Sequence, residues 1–203
     1  MIAIVDYDMG NVASVANMLK RVGVSDAILT REPEAIRRAD KIILPGVGAF
    51  ERGMRNLRDF GLIGVLNECA LGRKVPVLGI CLGMQLLASA SDEGEGAGLG
   101  WIDAQAKRFE FASESPLKVP HMGWNYAIPT RANPLIPAAP RSRFYFVHAY
   151  HVACAHEEDV LATSEYGGAF ACAVNRDNVY GVQFHPEKSH RFGRTLFEGF
   201  VSL

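Results

Sequence analysis

Four times within the first 90 residues, a short apolar run is followed by a stretch with helical spacing. The runs are IAIVDY from residue 2, then DAILT, KIILPG and VPVLGI. All are short and rich in branched aliphatic residues, which suit a buried strand. Their partners are NVASVANMLKRVG, PEAIRRAD, FERGMRNLRDFGLIGVLNECALG and LGMQLLASA. The first places Val12, Val15, Ala16 and Leu19 on one face and stops at Gly23. The second has Pro33 at its start. The third carries internal glycines that weaken its helical pattern. A repeat of strand and helix predicts a parallel sheet covered on both faces.

Beyond residue 91 the pattern changes. SDEGEGAGLG reads as a flexible connection; its glycines miss the spacing of a dinucleotide fingerprint and no strand precedes it. Strand-like segments follow: WIDAQAKRFEF, VPHMGWNYAI, RFYFVHAYHVAC and VLATSEY. AFACAVNRDNVYGVQFH reads as two strands around an Asn-Arg-Asp-Asn turn, and a helix is expected near RTLFEGFVSL. No repeat or low-complexity linker divides the chain. The expectation is one α/β domain over residues 1–203. Its mostly parallel central sheet is flanked by helices, with antiparallel strands in the C-terminal half.

The 203 residues carry a net charge of -1, which disfavours a nucleic-acid surface over the whole molecule. No apolar run approaches the roughly 20 residues of a membrane span. The first ten residues hold two acids and no basic lead-in, so they do not read as an export signal. The four cysteines form no CxxC pair and are expected as free thiols in a reducing cytoplasm.

One of them, Cys81, sits where the fourth strand turns into a helix, between Gly79 and Gly83. Such an elbow holds a nucleophile above the sheet on a strained backbone. Glycine on either side lets strand and helix cross closely. The helix N-terminus favours thiolate, and the Leu82 N–H is placed to hold an oxyanion. Gln85, four residues on, shares the face of Cys81. A base is available in YGVQFHPEKS: His185 ends a strand, and in an extended segment Glu187 would point the same way and orient it. A metal reading of His148, His151, Cys154 and His156 is disfavoured, because one strand would send His148 and His151 to opposite faces. No metal and no cofactor are expected.

Together, Gly79-Ile80-Cys81-Leu82-Gly83-Met84-Gln85 and His185-Pro186-Glu187 resemble the signature of the class I, triad-type glutamine amidotransferases. LPGVGAF (44–50), PHMGWN (120–125), YFVH (145–148), FHPEKS (184–189) and DYDMGN (6–11) are similar, more narrowly, to glutaminase subunits of imidazole glycerol phosphate synthases. The resemblance implies glutamine hydrolysis through a Cys81 thioester, with His185 as acid and base and Glu187 behind it. It implies an oxyanion hole from the Leu82 and Val47 N–H groups, the latter turned away at rest and recruited by a flip of the Gly46–Val47 peptide. Gly48, Gln85, Ala149 and Tyr150 would hold the substrate. Asn11, Met122, Trp124, Asn125 and Lys188 would face or gate the partner. That partner would be a (β/α)8-barrel cyclase, forming a heterodimer and receiving ammonia. The cyclase would convert the ribonucleotide PRFAR to imidazole glycerol phosphate and AICAR in histidine biosynthesis. No nucleic acid or membrane is implied. Alternatives at this stage are the glutaminase of another aminating synthase, such as one in surface-sugar biosynthesis, or a γ-glutamyl hydrolase or cysteine peptidase.

Overall fold

The four apolar runs form β1 (Ile2–Val5), β2 (Ala27–Thr30), β3 (Lys41–Gly46) and β4 (Val77–Cys81). These facts come from a computed structural model describing residues 1–94, 96–139 and 141–203. The helices between the strands are α1 (Val12–Arg21), α2 (Pro33–Arg37), α3 (Phe50–Asp59) and α4 (Leu62–Asn67). Strands β1 to β4 pair in parallel in the order β2-β1-β3-β4. Successive residues face opposite sides. Ala3, Val5, Ile42 and Leu44 therefore pack in one cluster with α2, α3 and α4. Ile2, Ile4, Ile43 and Ile80 pack in the other with Leu19 of α1.

The C-terminal half supplies β5 (Ala90–Ser91), β6 (Ala104–Arg108), β7 (His121–Pro129), β8 (Ser142–His148), β9 (Tyr150–Cys154), β10 (Val160–Glu165), β11 (Ala169–Arg176) and β12 (Val179–Val182). β12 returns to lie parallel beside β4, Val179 opposite Val77 and Val182 opposite Ile80. β11, β10, β7 and β8 continue the sheet antiparallel from there. The final helix, α6 (His190–Val201), buries Leu196, Phe197 and Phe200 in the α1-side cluster. The expected α/β sheet, parallel first and antiparallel later, is the observed one.

Four local expectations are corrected. The long third helix breaks at Gly61, whose φ of +67° is left-handed and splits α3 from α4. The helix after Cys81, α5 (Leu82–Leu86), stops after five residues. Its C-terminal carbonyls are taken by the returning loop instead: Leu99 N–H donates to Leu86 O at 2.8 Å and Trp101 N–H to Leu87 O at 2.9 Å. RFYFVHAYHVAC is two strands rather than one, because the chain bends at Ala149. His148 and His151 consequently share a neighbour, their rings 5.3 and 4.7 Å from that of Phe109. Lastly, β12 ends at Val182, and Pro186–Lys188 is a 3-10 turn rather than an extended segment.

Candidate active site

The parallel pairing of β3, β4 and β12 delivers three chain ends to one edge of the sheet. Gly46 lies opposite Cys81 across β3 and β4, and His185 follows the end of β12. Ligands of open α/β sheets bind at such carboxyl ends.

Cys81 has φ +54° and ψ −108°, a conformation that side chains rarely adopt. Holding it costs about 1–3 kcal/mol, which the surrounding packing must offset. The glycines show why the elbow needs this sequence. A Cβ on Gly79 would lie 2.7 Å from the Gly83 carbonyl oxygen. One on Gly83 would collide with the Leu44 carbonyl, and one on Gly46 with the Tyr7 hydroxyl. Cys81 is 6% exposed, on the wall of a cavity of about 440 Å³. Leu82, Gln85, His148, Tyr150 and His185 line the same cavity. With only five residues in α5, the helix-terminus effect reduces to local N–H groups. Leu82, the first helical residue, has no partner for its N–H within the helix.

His185 is fixed from two sides. Its N–H donates to Tyr145 O of β8 at 2.9 Å, and the Ser189 hydroxyl donates to its carbonyl at 2.6 Å. The 3-10 turn brings Glu187 back, so that His185 Nδ1–H donates to Glu187 Oε1 at 2.7 Å. Both side chains are 2% exposed. Desolvation lowers the imidazole; the Cys81 sulfur and the Glu187 carboxylate raise it and prevail, at about 9. Among the described residues, His185 Nε2 is buried with no hydrogen bond of good geometry, and Cys81 is the group beside the ring that raises it together with Glu187. Burial pushes up the thiols of Cys69, Cys154 and Cys172, in a direction opposite to nucleophile activation.

The Val47 N–H is occupied: it donates to the carbonyl of Met9, on the DYDMGN loop. It therefore does not point at a site beside Cys81. Gly48 follows at φ +103°, and it lines the cavity with Val47 and Ala149. Gln85 is 5% exposed, its amide nitrogen donating to Tyr150 O at 3.1 Å and Gln183 Oε1 at 3.2 Å.

Three functional candidates escape a reading of the sequence. Glu93, inside the glycine-rich stretch taken as a flexible connection, reaches the cavity, where Phe50 N–H donates to its Oε2 at 2.9 Å. Glu95 of that stretch lies outside the described residues. Gln183 is fully buried and donates to the Cys81 sulfur at 3.8 Å. His121 donates from Nδ1 to His148 Nε2 at 3.0 Å, and His148 Nδ1–H donates to Tyr150 O at 2.7 Å. The Tyr150 carbonyl can only accept, which sets both tautomers. Burial holds His121 down at about 4 and His148 at about 3, so both are neutral. A second histidine 27 positions before the histidine of YFVH was the only available signal.

The expected partner-facing residues divide. Met122 and Trp124 lie on the outer face of β7, 62% and 39% exposed. The Trp124 ring stacks on His190 with centroids 5.6 Å apart. The Lys188 ammonium is exposed, 5.9 Å from the Tyr145 ring. Asn11 is exposed and caps α1, accepting from Ser14 N–H at 3.4 Å. Asn125 points to the inner side of β7 instead, donating to Glu165 O at 2.8 Å, because adjacent strand residues face opposite ways.

An elbow cysteine and a histidine–glutamate pair on one cavity are the parts of a thiol hydrolase of the amide-cleaving kind. The glutamine amidotransferase class-I family model matches residues 3–203, and the chain belongs to that family. It is 52% identical over 202 residues to the imidazole glycerol phosphate synthase subunit HisH 2 of Methanococcus maripaludis, covering 99% of this chain and 98% of that protein. The protein of the same description from Pseudomonas aeruginosa is 50% identical, with 100% of each chain covered. The HisH subunit of Leptospira interrogans is 47% identical, also over 100% of each. Among solved structures, one described as a glutamine amidotransferase superposes with a TM-score of 0.77 at 20% identity, over 100% of this chain and 98% of that one. At that identity the likeness speaks for the fold.

Proposed function

We propose that this chain is the glutaminase subunit of an imidazole glycerol phosphate synthase, acting in histidine biosynthesis. Full-length identity of about half to HisH subunits supports it. So does one feature of the fold: β12 lies parallel beside β4, so Cys81 and His185 come from neighbouring strand ends onto one cavity.

In this reading residues 1–203 act as one amidotransferase domain in the cytoplasm. The Cys81 sulfur attacks the side-chain amide carbon of L-glutamine. His185 takes the thiol proton and returns it to the departing nitrogen, releasing ammonia and leaving a γ-glutamyl thioester. His185 then deprotonates a water that attacks the thioester, giving glutamate and the free thiol. Glu187 steadies the imidazolium. Glu93 is the one carboxylate lining the cavity among the described residues, and it suits the substrate's ammonium group. Gln85 and the backbone at Gly48, Ala149 and Tyr150 hold the other end.

The resting oxyanion hole has one donor, Leu82 N–H, because Val47 N–H is held by Met9 O. Losing one donor slows such reactions by about 100- to 1000-fold. Rotation of the Gly46–Val47 peptide, released from Met9, would complete the hole. Met9 is two residues from Asn11, so a (β/α)8-barrel cyclase docking against Asn11, Met122, Trp124 and Lys188 is well placed to trigger it. The ammonia then passes to that cyclase, which turns PRFAR into imidazole glycerol phosphate and AICAR.

Reconstitution with the histidine-pathway cyclase tests the reading. Glutamate release should rise by about two orders of magnitude when cyclase and nucleotide are added together. Cys81→Ala should abolish glutamine use while synthesis from ammonium salts continues. Stimulation by a different synthase alone would assign the chain to another amination.

A further inference from the structure

We infer that Gln183 is a catalytic residue, a fixed hydrogen-bond donor to the Cys81 sulfur, and that Gln85 is the positioning residue that keeps it aimed. The inference rests on the proposed use of Cys81 as nucleophile.

The argument starts from an acceptor that cannot change its role. The Tyr150 carbonyl faces Gln85, so the group at 3.1 Å from it must be the amide NH₂ of Gln85. That same NH₂ lies 3.2 Å from the Gln183 amide. Only the carbonyl oxygen of Gln183 can accept from it. The Gln183 NH₂ is therefore left facing the sulfur, at 3.8 Å. Reversing Gln183 would set donor against donor, and reversing Gln85 acceptor against acceptor, in a buried place. The backbone anchors the far end, with Gln183 N–H donating to Cys172 O at 2.9 Å. Gln183 has no exposed surface, so the arrangement is built into the interior.

The sulfur thus sits between two neutral groups of opposite effect. The Val147 carbonyl, 4.0 Å away, can accept from the sulfur only while it is protonated. The Gln183 amide donates, and a donor favours the thiolate. The titratable groups facing Cys81 are His185, with Glu187 behind it, and Tyr7 from the end of β1. Tyr7 is held protonated well beyond its usual range, by burial first and by the Cys81 charge second. His185 supplies a charge that comes and goes during turnover. Gln183 supplies a donor that does not titrate, facing the sulfur both when it attacks and when it is expelled from the thioester.

Iodoacetamide alkylation of the full-length chain, followed at each cysteine by peptide mass mapping from pH 5 to 10, tests the pair. Gln183→Met keeps the length of the side chain and deletes the donor. We expect it to move the midpoint of the Cys81 profile up by about one pH unit, a roughly tenfold change in the balance of thiol and thiolate. Glutaminase kcat in the complex should fall by a similar factor, with KM within about twofold. Gln85→Met, which frees the Gln183 amide to turn, should shift the midpoint the same way by less. A folded Gln183→Met protein with an unmoved midpoint overturns the inference. If that variant does not fold, an unmoved midpoint in Gln85→Met overturns it. A shifted midpoint in a chain that no cyclase makes hydrolyse glutamine would defeat the functional reading and leave this one standing. Hydrolysis with no shift would do the reverse.

Discussion

His185 and His148 line the same cavity and are 1% and 5% exposed, yet one keeps a proton at neutral pH and the other does not. Burial disfavours the charged imidazole in both. What differs is the neighbour. His185 donates to the Glu187 carboxylate at 2.7 Å and lies near the Cys81 sulfur. His148 faces a second neutral imidazole and a backbone carbonyl, amid the rings of Phe109, Phe146 and Phe170. A low-dielectric site strips a proton unless an anion is built in beside it. One pocket holds both outcomes: a charged imidazole beside an anion and a neutral pair of imidazoles.

Removing the anion should make His185 behave like His148. Glu187→Gln is expected to lower glutaminase kcat in the complex by about 10³-fold or more. Ring proton shifts followed by NMR should show the His185 titration moving below neutrality. A kcat within tenfold of the parent would break the comparison.

The two regions also predict opposite pH windows for stability. His148 is depressed in the fold, so its contribution is complete above the unfolded value near 6.5 and is lost as pH falls towards 3. At pH 5 that loss is about 2 kcal/mol. His121 adds in the same direction. His185 is raised, so its contribution is complete below about 6.5 and is lost as pH climbs through 9. Urea unfolding at pH 5, 7 and 9 measures both arms. In His121→Gln, which can still donate to His148, the drop between pH 7 and 5 should shrink. An undiminished drop would remove His121 from the account.

The smallest effect belongs to Trp124, outside the pocket. Trp124→Ala loses a half-exposed stack on His190 and should cost less than about 1 kcal/mol of stability. It should leave both histidine titrations unmoved while weakening cyclase binding by about tenfold or more. A shift of either titration would show that the outer face of β7 is not separate from the cavity.

How much of this could be read from the sequence follows the range of each interaction. The elbow was legible because its requirement is local: Gly79, Cys81 and Gly83 answer a crossing within a few residues. Glu187 was legible as the partner of His185, but not the 3-10 turn that joins them. His185 stays extended at the head of that turn, which still brings residue i+2 beside it, so the two side chains meet although the backbone differs from the expected one. Glu93 was hidden by its glycine-rich surroundings, and Gln183 by its place in a motif whose histidine drew the attention. The ends of α5 and α3 are not legible because carbonyls from Leu86 to Ala88 bond to residues 99–102 and a left-handed Gly61 interrupts the run.

By itself, the order of apolar runs, helices and glycines determined a parallel sheet with a cysteine on a tight turn. Periodicity and steric exclusion act over a few residues, and sequence records them directly. Only the tertiary structure decided which groups surround that cysteine. The registers of β4 with β12 and of β7 with β8 bring together residues up to about a hundred positions apart. Burial and hydrogen-bond direction then set which histidine is charged, where the Val47 N–H points and which way the Gln183 amide faces. These properties belong to assembled neighbours, and no single stretch of chain contains them.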